Sequence, residues 1–292
     1  MNEELSILLE KTYGKPLHVK SARSVGGGCI NETQVLTMSD GQNVFLKHNS
    51  RAPANFFRAE ARGLCLLGTA EDGPRVPQPL GGTPEPDAKF LLMEYLESTT
   101  ASGDFYIRFA ESLARLHRTT ADRYGLDHDN FIGLTEQKNT LEREGVVFFR
   151  EHRLRWQQEL ARRAGKLSAS VDKNLDRLCD KLEDLLDVTG ERPALLHGDL
   201  WSGNYFCTAD GKPCIFDPAV YFGLREADLA MTELFGRLPQ TFYDAYHAAL
   251  PLNPGYEERK TIYNLYHLLN HLNLFGNSYL ASVQQTLRYY VG

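Results

Sequence analysis

Apolar residues fall in short runs over the first third of the chain and recur every three to four positions over most of the remainder. "HVKSARSVGGGCINETQVLTM" reads as two short strands about a glycine triplet, and "NVFLKHN" as a third strand carrying Lys47. The period then changes. "NFFRAEARGLCLLGT" spaces Phe56, Phe57, Leu64 and Leu67 as one helix face, with Glu60 one turn before Leu64. A turn-rich link with Pro77, Pro79, Pro84 and Pro86 leads into the apolar strand "FLLMEYL", which ends near Tyr95.

Past residue 98 helical spacing takes over. "DFYIRFAESLARLHR" aligns Phe105, Phe109, Leu113 and Leu116 on one stripe. "SVDKNLDRLCDKLEDLLDV" aligns Val171, Leu175, Leu178, Leu182 and Leu185 behind a cap at Ser170. "NYFCTADGKPCIFD" interrupts the helices with two strands that turn at Asp210-Gly211, and helices resume from "EADLAMTELFG" to the end. The expected architecture is α+β and bilobal, with a β-rich N-lobe over residues 1–98 and a mainly helical C-lobe over 99–292.

Composition narrows the partners. With 42% apolar and 24% charged residues the chain can bury a proper core. Thirty-two basic against 38 acidic residues give a net charge of −6, which argues against nonspecific binding to nucleic acid or an anionic membrane. No stretch approaches the roughly 18 apolar residues of a membrane span, and the acidic start "MNEELSILLE" is not a signal peptide. Five cysteines without CxxC spacing fit a reducing cytoplasm better than a disulfide framework or structural zinc. A small-molecule partner is expected.

The chemistry concentrates in "LLHGDLWSGNYF". His197-Gly198-Asp199-Leu200-Trp201-Ser202-Gly203-Asn204 matches the kinase catalytic loop H-R-D-L-x-x-x-N except at the arginine. A β-rich lobe, a hinge strand and a helical lobe broken by a hairpin likewise suit a protein-kinase-like fold. In that frame Asp199 takes the proton of an attacking hydroxyl, Asn204 holds a metal, and the hairpin brings Asp217 to the metal's other side. Lys47 and Glu60 resemble the ion pair that aims a lysine at ATP phosphates. Backbone groups near Glu94 and Leu96 would pair with adenine, and Gly26, Gly27 and Gly28 would turn their N–H groups toward phosphate. Asp217-Pro218-Ala219 replaces D-F-G and no A-P-E segment follows, so no activation loop is expected.

"GGGCINET", "VFLKHN", "LLHGDLWSGN" and "FGLREADLAMTELFG", in this order, resemble the fructosamine kinase family (ketosamine-3-kinases), relatives of aminoglycoside and choline kinases; the match runs over nearly the whole chain. The resemblance implies ATP and Mg2+ as cofactors and phosphorylation of the 3-hydroxyl of a ketosamine: a ribulosamine, erythrulosamine or fructosamine, free or protein-bound. The labile product then releases the amine, which is deglycation. The alternative is an aminoglycoside or other small-alcohol phosphotransferase on the same fold. A pseudokinase would break the set Lys47, Glu60, Asp199, Asn204 and Asp217, and all five are present.

Further residues carry two readings each. Trp201 either stacks on the sugar or packs in the core. Asp228 opens "DLAM", where an acid in related kinases braces the catalytic loop from below. His267 and His271, at i and i+4, read as cleft-lining or core histidines, and Arg150, Arg153, Arg155, Arg162 and Arg163 as a solvated or substrate-side face. Cys29 is either a low-pKa thiol in the phosphate turn, whose oxidation would convert a monomer to a redox-dependent homodimer, or a half-buried strand residue.

Overall fold

The computed structural model describes residues 3–14, 18–26, 30–82 and 84–292. The chain folds into a sheet-based lobe and a helical lobe, the α+β bilobal arrangement expected from the change of period. Helix α1 (Glu3–Tyr13) precedes strands β1 (Val19–Ser24), β2 (Glu32–Met38) and β3 (Asn43–His48), and helix α2 (Phe56–Leu67) separates them from β4 (Phe90–Glu94). The four strands make one antiparallel sheet in the order β1-β2-β3-β4.

Period-2 alternation decides what each face of that sheet meets. Leu36, Met38, Val44, Leu46, Phe90 and Leu92 pack with Leu5 and Leu9 of α1. Phe45, Leu91 and Met93 face the other way, into a core that includes Phe57, Ala61 and Leu64 of α2. Lys47 shares this second parity, opposite Thr33 on β2 and Leu91 on β4, so the register points it at α2.

The helical lobe begins with a two-residue strand, β5 (Ser98–Thr99), and helix α3 (Phe105–His117). The hairpin of β6 (Asn130–Ile132) and β7 (Thr135–Gln137) follows, then α4 (Gly145–Phe149), a π-helical turn (Arg150–Arg155) and α5 (Trp156–Arg163). Next come α6 (Ala169–Asp180), α7 (Leu182–Leu185), β8 (Ala194–Leu196), β9 (Tyr205–Thr208), β10 (Pro213–Ile215) and β11 (Tyr221–Gly223). Helices α8 (Glu226–Leu234), α9 (Gln240–Ala249) and α10 (Tyr256–Phe275), a 3₁₀ turn (Asn277–Tyr279) and α11 (Leu280–Val291) complete the chain. β9 pairs with β10 across the expected turn, where Gly211 has φ 80°, and with β5 on its other edge; β8 pairs with β11.

The core containing α2 continues through Phe105, Phe109 and Leu113 of α3 to Leu195, Leu200 and Ile215, so one apolar body runs from lobe to lobe. It fixes α2 against the segments that carry the catalytic loop.

Three local expectations need correction. Helix α6 is capped by Ser168, whose hydroxyl accepts the Val171 N–H at 3.4 Å, and not by Ser170. The helix also ends at Asp180, and Leu182 continues the buried stripe from the separate turn α7. The arginines do not share one solvated face: the π turn Arg150–Arg155 carries Arg153 among its buried residues. Arg153 is fully buried, its guanidinium 3.9 Å from the Tyr221 ring centre and donating to the Lys138 carbonyl at 2.6 Å and to Asn139 Oδ1 at 2.9 Å. Arg150, Arg155, Arg162 and Arg163 keep to the outside in ion pairs with acidic neighbours.

A second buried arginine anchors α10 to α8. Arg259 makes a two-pronged pair with Glu226 at 2.5 and 2.9 Å and also donates to the Pro254 carbonyl at 2.6 Å. Arg259→Ala would strand a buried carboxylate, so it should destabilise the protein by about 3–5 kcal/mol in urea unfolding, whereas a loss below about 1 kcal/mol would show the pair to be dispensable.

Candidate active site

Strand β8 delivers the chain to His197, and from there the loop is pinned by buried polar bonds. Asp228, on α8, accepts the backbone N–H of His197 at 2.7 Å and of Gly198 at 2.9 Å. It also meets His117 Nε2 at 3.3 Å, and His117 Nδ1 meets the Tyr246 hydroxyl at 2.7 Å. Burial alone would raise the Asp228 carboxyl, but the bonds from His117 and the loop hold it below its ordinary range. This is the brace anticipated for Asp228.

His197 is a second strut. Its Nε2–H donates to the Phe216 carbonyl at 2.9 Å and its Nδ1 accepts the Asp199 N–H at 3.3 Å, an arrangement that requires the neutral ring. Burial lowers its pKa accordingly. Gly198 has φ 84°, and a Cβ there would lie 2.0 Å from the Ala219 carbonyl oxygen. That contact explains the glycine in place of the arginine of protein kinases: no side chain fits between the catalytic loop and the Asp217-Pro218-Ala219 segment.

The loop places Asp199 beside Asn204, whose amide nitrogen donates to the Asp199 carbonyl at 2.8 Å and to its Oδ2 at 3.2 Å. Burial, reinforced by the Asp217 charge, pushes the Asp199 carboxyl up to about 7. Asp217 itself has φ 57°, a left-handed conformation uncommon outside glycine that aspartate tolerates better than most residues. Its carboxylate meets the Lys47 ammonium, which also binds Glu60, so the expected lysine–glutamate pair is present and is extended to the second lobe. Burial by itself would discharge Lys47, yet Asp217 and Glu60 hold its pKa above the ordinary range.

One ammonium thus meets two carboxylates, Glu60 and Asp217, and the Asp217 charge is also felt at Asp199, which leaves surplus negative charge in a confined space. With its nitrogen on Asp199, the Asn204 amide turns its oxygen the other way. A carboxylate and an amide oxygen are hard donors suited to Mg2+. Among the described residues no group of three or more His, Cys, Asp or Glu could hold a metal unaided. A divalent ion at Asn204 and Asp217 would therefore need further oxygens from a phosphate ligand, the usual habit of Mg2+.

The remaining expected residues divide. The Glu94 N–H is taken by the Gln78 carbonyl at 2.8 Å and its carboxylate by Arg75 at 2.5 Å, so neither of these groups is offered to a purine. Leu96 N–H makes no backbone bond among the described residues. Gly26 is exposed, with no described residue within 4 Å of where a Cβ would sit, while Gly27, Gly28 and Cys29 lie outside the described residues. Trp201 is half-buried rather than a core residue: its ring covers Gly203, where a Cβ would come within 2.4 Å, and stands edge-on to Phe235 at 6.2 Å.

The two histidines of α10 differ in their partners. His271 Nδ1 is bonded to the His267 carbonyl at 2.8 Å, whereas His267 Nδ1 lies 3.8 Å from Asp199 Oδ1.

Residues 1–291 match the sequence model of the family described as Fructosamine kinase. The chain belongs to the fructosamine kinase family. It is 42% identical to the "Probable ketoamine kinase" of Synechocystis over 96% of this chain and 93% of the relative. It is 38% identical to the chloroplastic protein-ribulosamine 3-kinase of Oryza sativa subsp. indica, over 96% of this chain and 81% of that protein. The crystal structure of the "putative fructosamine-3-kinase" of Thermobifida fusca superposes with a TM-score of 0.87 at 32% identity, over 99% of this chain and 98% of that one.

In this member of the family the "READLAM" stretch is a scaffold. Arg225 pairs with Glu191 at 2.7 Å, Glu226 with Arg259, and Asp228 holds the loop. Sequence reasoning missed the strut role of His197, for which the HxD pattern was a signal. It also missed His117, Tyr246 and the approach of His267 to Asp199, for which no local signal exists. Gly198→Ala should lower stability by at least about 2 kcal/mol and abolish turnover, since its Cβ meets backbone at a positive φ. Gly26→Ala, with no described residue within 4 Å, should melt within about 0.5 kcal/mol of wild type. Equal melting of the two variants would refute the steric argument.

Proposed function

We propose that this protein is a cytoplasmic, ATP- and Mg2+-dependent kinase that phosphorylates the 3-hydroxyl of ketosamines, free or protein-bound, and so promotes deglycation. The observation that carries the reading is the Asp199 carboxyl, buried, raised to about 7 and held in a pinned loop across from the Lys47–Asp217 pair. A carboxylate with so high a pKa is a stronger proton acceptor than an exposed one, as a general base requires. The names of the relatives, ketoamine kinase and protein-ribulosamine 3-kinase, support a ketosamine acceptor and its 3-hydroxyl. Two observations suit a soluble protein of a reducing compartment. The four described cysteines are unpaired, and no described helix is long and apolar enough to cross a membrane.

In this reading the Glu94 carbonyl and Leu96 N–H receive the adenine, and the turn at Gly26, Gly27 and Gly28 covers the phosphates. Lys47, held by Glu60, aligns the phosphates, and Asn204 and Asp217 hold the metal. Mg2+ supplies neutralisation of the charge that builds on the phosphate oxygens. Trp201 offers a flat apolar surface to the sugar. Asp199 Oδ1 accepts the proton of the 3-hydroxyl as its oxygen bonds to the γ-phosphorus, and the electron pair of the breaking P–O bond leaves with ADP.

Incubation with ATP, Mg2+ and a panel of ribulosamines, erythrulosamines, fructosamines and aminoglycosides tests the substrate class. Ketosamines should be turned over to 3-phosphates and aminoglycosides left unmodified; preferential turnover of aminoglycosides would replace the reading by the other small-molecule kinase class. Asp199→Asn should lower kcat by about 10²–10⁴ with little change in ATP affinity, and near-normal turnover would remove Asp199 from the role of base.

A further inference from the structure

His267 has a buried ring, is 3% exposed, and presents Nδ1 without a hydrogen-bond partner among the described residues. A buried ring nitrogen left unpaired costs about 1–3 kcal/mol, and folded proteins rarely leave one without a purpose. Asp199 Oδ1 lies 3.8 Å from it, too far for a direct bond. An oxygen placed about 2.8 Å from each would bridge the two with ordinary hydrogen bonds.

The identity of that oxygen follows from what Asp199 has already committed. Oδ2 accepts from Asn204 at 3.2 Å, so Oδ1 is the oxygen left to take a proton from the acceptor hydroxyl. The atom seated between Asp199 Oδ1 and His267 Nδ1 is then the acceptor oxygen itself. Resting on the ketosamine-kinase reading, we propose that His267 Nδ1–H donates a hydrogen bond to the sugar hydroxyl that receives the phosphate and so sets which hydroxyl is presented to Asp199.

The step balances without titration of the histidine. The hydroxyl proton passes to Asp199 Oδ1, the oxygen bonds to phosphorus, the bridging P–O electron pair departs with ADP, and His267 keeps its proton throughout. Burial pushes the His267 pKa down to about 3, so the ring is neutral, and in its Nδ1–H tautomer it donates from the nitrogen that faces Asp199. A fixed neutral donor aimed at the reacting oxygen supports the charge that develops as the proton leaves. His271, one turn on, is bonded to the His267 carbonyl through Nδ1 and so cannot replace it from the same atom.

The test compares wild type, His267→Leu and His267→Asn with ribulosyl-lysine as acceptor and with its 3-deoxy analogue as a non-reacting ligand. Asparagine places an amide near the position of Nδ1; leucine places nothing polar there. The leucine variant should lose about 10–100-fold in kcat/KM for ribulosyl-lysine while KM for ATP stays within about twofold, and asparagine should restore most of the loss. In calorimetry the wild type should bind the parent more tightly than the 3-deoxy ligand, and leucine should shrink that difference by the His267 share, leaving the part that Asp199 supplies. A leucine variant with wild-type melting and unchanged kcat/KM overturns the inference while the functional reading stands. So does an asparagine variant that melts normally and recovers nothing. A wild type inert toward every ketosamine brings down the functional reading and this inference with it.

Discussion

The cleft depends on one buried ammonium. Lys47, fully enclosed, meets Glu60 from its own lobe and Asp217 from the other. Each partner arrives by a different physical route. Strand parity on β3 turns Lys47 toward α2, helical spacing presents Glu60 to it, and the hairpin of β9 and β10 returns the chain so that Asp217, in its left-handed conformation, reaches across. The apolar core shared by α2, α3 and β10 keeps these routes in register. Removing the lysine charge would leave two carboxylates uncompensated in a site where burial is expensive.

The catalytic loop is held by a different kind of constraint. Polar bonds and close steric contact fix it: Asp228 on two backbone N–H groups, His197 between Phe216 and Asp199, and Gly198 against the Ala219 carbonyl. Such a network is rigid because every donor has its acceptor, and a rigid loop keeps Asp199 in one orientation before substrate arrives. The two constraints meet at Asp217, which touches Lys47 and whose charge helps to raise Asp199.

Much of this was legible because its signals are local. The alternation around Lys47, the 13-residue step from Lys47 to Glu60 and the spacing from His197 to Asn204 each fall within a short window. The signals failed where structure is decided by distant partners. Lys47 and Asp217 are 170 positions apart, and nothing near either announces the bond. Strands β5, β8 and β11 are only two or three residues long, too short to display a period. Arg153 looks like its solvated neighbours in sequence, and its burial against Tyr221, Lys138 and Asn139 shows only in the folded chain. The brace at Asp228 was anticipated from kinship, while its partners His117 and Tyr246 required the folded chain.

The most direct measurement is calorimetric binding of ATP with and without Mg2+ to the wild type and to Asp217→Asn, which keeps the size and the left-handed tolerance of aspartate but removes its charge. The account predicts that Mg2+ tightens ATP binding to the wild type by at least about tenfold and that the variant loses this gain, because its metal position lacks the only carboxylate assigned to it. An equal Mg2+ gain in both proteins would contradict the account, placing the metal and the phosphates it holds elsewhere in the cleft.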